Sequence, residues 1–115
     1  MEETQKPAEI QYEDFAKLDI RIGKIIAADR VPETDKLIKC TIDFGEAGER
    51  TIVSGIAAWK SPEELVGKSL PYIFNLAPRM LKGIESQGML LAASDESGVV
   101  LLQPDRDISP GARIK

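Results

Sequence analysis

The sequence predicts an all-β domain: a small, closed or partly open barrel of five short strands, with one short helix between strands three and four and a C-terminal extension. Three observations predict it. Apolar and polar residues alternate over several short runs, the period of half-buried strands. Gly and Pro clusters separate those runs at turn-like intervals. Only one stretch, SPEELVGK, carries both helix-start and helix-stop signals, and it follows the third run. The 115 residues suffice for one domain. A seven-stranded sandwich would barely fit.

Residues 1–11 lack periodicity, so residues 1–13 are read as an acidic, mobile leader and residues 14–115 as the domain. Asp14 is expected to cap a short turn or helix that puts Phe15 and Leu18 on one face. In LDIRIGKIIAADRV, Leu18, Ile20 and Ile22 alternate with Asp19, Arg21 and Gly23, after which the phase shifts to Ile25 and Ala27. A Gly at such a shift predicts a bulge or corner at Gly23. VPETDK is a turn in which Pro32 fixes φ and Asp35 caps. LIKCTIDFG follows, with Ile38, Cys40, Ile42 and Phe44 on one side, and GEAGER closes a hairpin into RTIVSGI. In SPEELVGK, Ser61 is the N-cap, Pro62 the first helical residue, Glu64 the capping-box partner and Gly67 the C-terminal stop. SLPYIFNL and QGMLLAAS read as strands joined by the connection APRMLKGIES. VVLLQP is a further strand, and SPGARIK a terminal turn and strand. A helix inserted after the third strand is the arrangement of an OB-fold barrel, where it plugs one end.

Composition removes whole classes of function. The chain has no His and a single Cys, Cys40. An internal disulfide, a His-based triad and the common zinc sites are therefore ruled out, and a reducing compartment is expected. No apolar run approaches the ~20 residues of a membrane span, and the acidic N-terminus does not resemble a secretory signal. Ser54 lacks the Gly before a nucleophile elbow, Asp105 and Asp107 read as solvated turn residues, and no P-loop or dinucleotide fingerprint is present. Cys40 reads as a buried structural thiol. No catalytic constellation and no cofactor site emerges.

The net charge of −4 argues against a nucleic acid, yet its distribution does not. Within residues 1–15, Glu2, Glu3, Glu9, Glu13 and Asp14 stand against Lys6 alone and account for the whole of it. The remaining residues balance, and two segments are locally basic. Residues 16–40 carry Lys17, Arg21, Lys24, Arg30, Lys36 and Lys39, and residues 68–85 carry Lys68, Arg79 and Lys82. In APRMLKG, cations sit beside Met80 and Leu81, a pairing suited to a polyanion whose phosphates meet charge and whose bases meet apolar surface.

The strings DFAKLDIRIGKI, VPETDKL, DFGEAGERTIVSGI, SPEELVGK, FNLAPRMLKGIESQGMLLAAS and SPGARIK, in that order, resemble the tRNA-binding domain family across residues 14–115. That family includes C-terminal domains of methionyl-tRNA synthetases, stand-alone tRNA-binding dimers and an export-chaperone branch. The resemblance implies a non-catalytic, cytoplasmic OB domain that holds tRNA by shape, as a homodimer or beside a separate synthetase catalytic region. A protein-binding chaperone module of the same fold is the alternative. Carried over residue by residue, it implies tRNA contacts at Lys36, Asn75, Arg79, Lys82, Ser86 and Met89. It also implies a dimer contact through Phe15, Leu18 and the stretch from Val99 to Ile114. Val31 replaces the His often found before the turn Pro, and Met80 replaces a frequent Lys, so affinity is expected to be modest.

Overall fold

The computed structural model describes residues 8–115. Two short helices, α1 (Tyr12–Ala16) and α2 (Pro62–Leu65), accompany nine strands: β1 (Ile20–Arg30), β2 (Ile38–Asp43), β3 (Glu49–Ser54), β4 (Ser69–Ile73), β5 (Arg79–Leu81), β6 (Ile84–Ser86), β7 (Met89–Leu90), β8 (Ala92–Asp95) and β9 (Gly98–Leu101). Five of them form one antiparallel sheet in the order β3-β2-β1-β4-β7. This sheet curls into the nearly closed, OB-like barrel that the sequence predicts. β5 with β6, and β8 with β9, are separate two-stranded hairpins.

The barrel interior is built from the alternating side of each strand. Ile25, Ile38, Cys40, Ile42, Phe44, Ile52, Leu70, Tyr72 and Phe74 form one buried cluster with Leu65 of α2. Phe44 packs edge-on against both Tyr72 and Phe74, at 5.7 and 4.9 Å between ring centres. Burial of this kind supplies most of the favourable free energy, at about 25 cal/mol per Å² of apolar surface. Burial also pushes the Cys40 thiol up to about 11, so it is an inert apolar filler at neutral pH.

The seam between β3 and the β6–β7 segment is closed partly by side chains. Thr51 N–H donates to Gln87 Oε1 at 3.1 Å, Gln87 N–H donates to the Thr51 carbonyl at 2.8 Å, and Val53 N–H donates to Ser86 Oγ at 2.9 Å. These bonds satisfy edge groups that would otherwise be open to mispairing.

Several local readings are corrected. The bulge in β1 falls between Ile25 and Ala27, so Ile25 and Ala28, rather than Ala27, pair with the inward residues Ile42 and Cys40. Gly23 serves packing instead: a Cβ there would collide with Ile42 and the Phe44 ring. In the first half of β1 the apolar residues Ile20 and Ile22 lie outside the barrel cluster. The C-terminal segment pairs beside them, with Ile22 N–H to the Ala112 carbonyl at 2.9 Å and Ile114 N–H to the Ile20 carbonyl at 2.8 Å. Asp14 is not the N-cap of α1, which begins at Tyr12, within the stretch read as leader. It occupies the third helical position and accepts from Gln11 N–H at 3.0 Å. The cap in the 31–37 turn is Thr34 rather than Asp35, its hydroxyl accepting from Leu37 N–H at 3.1 Å. Ser61 and Glu64 form the expected capping box. QGMLLAAS is broken at Leu91 into β7 and β8. The connection APRMLKGIES contains the β5–β6 hairpin, turned at Lys82 (φ +50°) and Gly83 (φ +80°).

Candidate nucleic-acid interface

A cleft of about 420 Å³ opens between the barrel wall, the β5–β6 hairpin and β8. Its floor is apolar, with Val53, Ile56, Leu90 and Val99, and Leu37, Arg79 and Met89 stand around it. Arg79 reaches it because β5 alternates: Arg79 and Leu81 line the cleft, whereas Met80 does not and is 63% exposed. Met89 also lines the cleft and is 40% exposed.

Of the six residues singled out from the sequence, the structure brings two to the lining of this cleft and sets a third next to it in the chain. Arg79 and Met89 line it, and Lys36 precedes the lining residue Leu37. The Lys36 main chain is pinned, its carbonyl accepting from Ala57 N–H at 3.0 Å, while its side chain is exposed. Lys82 sits at the hairpin tip, exposed but outside the cleft lining. Ser86 is 2% exposed, and its hydroxyl accepts from Val53 N–H and donates to the Gly88 carbonyl at 3.4 Å. It is buried at the barrel seam, where β6 packs against β3 and the hydroxyl is engaged by Val53 N–H. The Asn75 amide is likewise engaged, accepting from Asp19 N–H at 2.9 Å and donating to the Lys17 carbonyl at 2.8 Å. It ties the end of α1 to the barrel and borders a separate concavity.

That second concavity exposes a residue that periodicity did not flag, Arg50, which borders it together with Asp19 and Phe74. Nearby, Arg21 donates to both oxygens of Asp19 at 2.9 and 3.0 Å, and Arg113 Nε lies 3.2 Å from Oδ1. The Arg21 hydrogen bonds hold the Asp19 carboxyl below its ordinary value. Burial opposes them, while the charges of Arg21, Arg113 and Arg50 add to them. Arg50 stands in the acidic, turn-flanked string DFGEAGER, and no sequence signal singled it out.

The four residues expected at a dimer contact are dispersed. Ile114 borders an apolar cleft of about 470 Å³ with Ile20, Ile22, Leu102 and Ile108, whereas Val99 lies in the cleft that holds Arg79. Phe15 is half-buried and Leu18 is 39% exposed beside α1. Among the described residues, no group of His, Cys, Asp and Glu is arranged to hold a metal ion. No helix among them is long and apolar enough to cross a membrane.

Comparison with known proteins adds the family context. Residues 20–113 match the family model described as "Putative tRNA binding domain". The chain is 51% identical over 108 residues to a methionine–tRNA ligase of Porphyromonas gingivalis, covering 93% of this chain but 16% of the relative. It thus spans about a sixth of the length of such relatives. Among solved structures it is similar to a MetRS related protein from Pyrococcus horikoshii, with TM-score 0.89 and 40% identity, covering 95% of this chain and all of the other. It is also similar to a chaperone CsaA from Bacillus anthracis, with TM-score 0.85 and 33% identity over 94% of this chain and all of the other.

Proposed function

Since this chain belongs to the tRNA-binding domain family, we propose that it is a non-catalytic tRNA-binding module of the cytoplasm, which raises the affinity of a methionyl-tRNA synthetase catalytic region or works as a stand-alone binder. The observation that carries the reading is the cleft, in which Arg79 and the partly exposed Met89 stand over an apolar floor. A cation beside apolar surface suits RNA, whose phosphates need charge and whose unstacked bases need a dry face. Lys36, next to Leu37, and Lys82, at the hairpin tip, are exposed and add charge, and recognition is by shape. The test is filter binding of bulk tRNA over a salt series. Binding should weaken steeply, with a log–log slope of roughly 0.7–0.9 per neutralised phosphate. Arg79→Ala should weaken all tRNAs alike.

A second reading, a polypeptide-binding chaperone module, is favoured by the predominantly apolar floor of the same cleft and by the similarity to the CsaA structure. It requires salt-insensitive capture of an unfolded polypeptide and no salt-sensitive tRNA binding. A finer element of the proposal is a homodimer. The apolar cleft beside Ile114, with Leu102 45% and Ile108 38% exposed, would be covered by a second copy. A dimer doubles the basic surface presented to one RNA. Light scattering that gives a monomer at micromolar concentration removes this element.

A further inference from the structure

At the end of the barrel where β1 starts, three guanidinium groups gather around one carboxylate. Arg21 and Arg113 pair with Asp19. Arg50 is different: among the described residues it forms no salt bridge. Its guanidinium carbon lies 3.6 Å from the centre of the Phe74 ring, and that of Arg21 lies 4.5 Å from the same centre. Among the described residues only Nη1 of Arg50 finds acceptors, the carbonyls of Phe74 at 2.6 Å and Gln87 at 3.4 Å. Among these residues Nε and Nη2 meet no acceptor, and the cluster keeps a surplus of positive charge, three guanidiniums against one carboxylate. Beside Arg50 lies the concavity of about 430 Å³ walled by Asn75, Ala77 and Pro78. The next residue along that wall is Arg79, in the main cleft. The two concavities are therefore joined by one short stretch of chain.

We propose that the Arg50 concavity is a second phosphate-binding subsite, which takes a phosphodiester of an RNA strand running from the Arg79 cleft across Pro78. This rests on the tRNA-binding reading. A guanidinium presents a planar fork of donors that matches two phosphate oxygens. Stacking on Phe74 and the bonds to two main-chain carbonyls hold that fork in one orientation, so little side-chain freedom is lost when an anion arrives. Asp19 is no competitor for the incoming phosphate, because Arg21 and Arg113 already occupy it.

Ala77 is exposed and borders the concavity, which makes it a probe that leaves the packing alone. In the full chain, Ala77→Lys should tighten binding of bulk tRNA about two- to fivefold at low salt and steepen the log–log salt slope by roughly 0.7–0.9. Ala77→Glu should do the reverse. Ala27→Lys adds the same charge at an exposed position outside both concavities, on β1, two strands from β3, and should leave the slope nearly unchanged. Arg50→Gln, with its thermal midpoint measured in parallel, should lose one phosphate's worth of slope. Equal effects of Ala77→Lys and Ala27→Lys would overturn the proposal, as would an unchanged slope in a folded Arg50→Gln protein. A wild-type chain with no salt-sensitive tRNA binding would instead overturn the functional reading, and this subsite with it.

Discussion

Asp19 anchors the start of β1 through charge, so its contribution depends on pH. The Arg21 hydrogen bonds, with Arg113 and Arg50 nearby, hold its carboxyl below the ordinary 3.8. The folded state then binds the proton less readily than the unfolded chain. That stabilisation is complete above the unfolded value and is lost as pH falls through the lower folded value. Asp19→Asn should therefore flatten the acid limb of a urea-midpoint profile below about pH 4; an acid limb as steep as that of the wild type would contradict the assignment. Ser86 is a residue where resemblance and geometry point different ways. With its hydroxyl bonded to Val53 N–H inside the seam, Ser86→Ala should cost about 1–3 kcal/mol, the penalty of a buried donor left unpaired. Chemical denaturation measures it. A direct RNA contact predicts the opposite pattern, lost binding at unchanged stability.

Among the elements, the β5–β6 hairpin shows the conflict between folding and charge most plainly. Its two-residue turn puts Lys82 at φ +50° and Gly83 at φ +80°, where Asn-Gly is the preferred pair. Lys82→Asn should stabilise the chain by roughly 0.5–1 kcal/mol, since a left-handed residue with a long side chain costs about 1–2. The same change should weaken tRNA binding and make its salt slope shallower. A thermal midpoint that fails to rise would show that the turn is not a source of strain. This hairpin was invisible in the sequence because each arm has three residues and Lys-Gly is a weak turn signal. β2 was legible in full: Ile38, Cys40, Ile42 and Phe44 all face one interior, so period two survives into burial. The helix plug was legible because Ser61, Pro62 and Glu64 act locally. Of the residues named from the sequence, Arg79 and Met89 line the cleft, whereas the hydrogen bonds that engage Asn75 and Ser86 were not legible. Their partners Asp19 and Val53 lie 56 and 33 residues away, and no local pattern encodes such a bond.

For the whole molecule, the decisive property is where the charge lies rather than its sum. The chain carries −4, yet the residues after the first fifteen are balanced, Arg79 lines the cleft, and Lys36 and Lys82 are exposed. The acids of the first segment thus act on RNA as a repulsive field of the same sign as phosphate. Such a field extends about 30 Å at 0.01 M salt and about 8 Å at 0.15 M. Neutralising Glu2, Glu3 and Glu9 together, as Glu2→Gln, Glu3→Gln and Glu9→Gln, changes the net charge from −4 to −1 and touches none of the hydrogen-bonded residues of α1. Bulk tRNA should then bind severalfold tighter at low salt, and the advantage should shrink toward nothing as salt passes 0.15 M, since a screened field no longer reaches the RNA. Because the field is long-ranged, the gain should be the same for every tRNA species, with no change in thermal midpoint. An advantage that persists at high salt would mean that the first residues instead occupy the cleft itself and are displaced by RNA, a contact that screening does not remove.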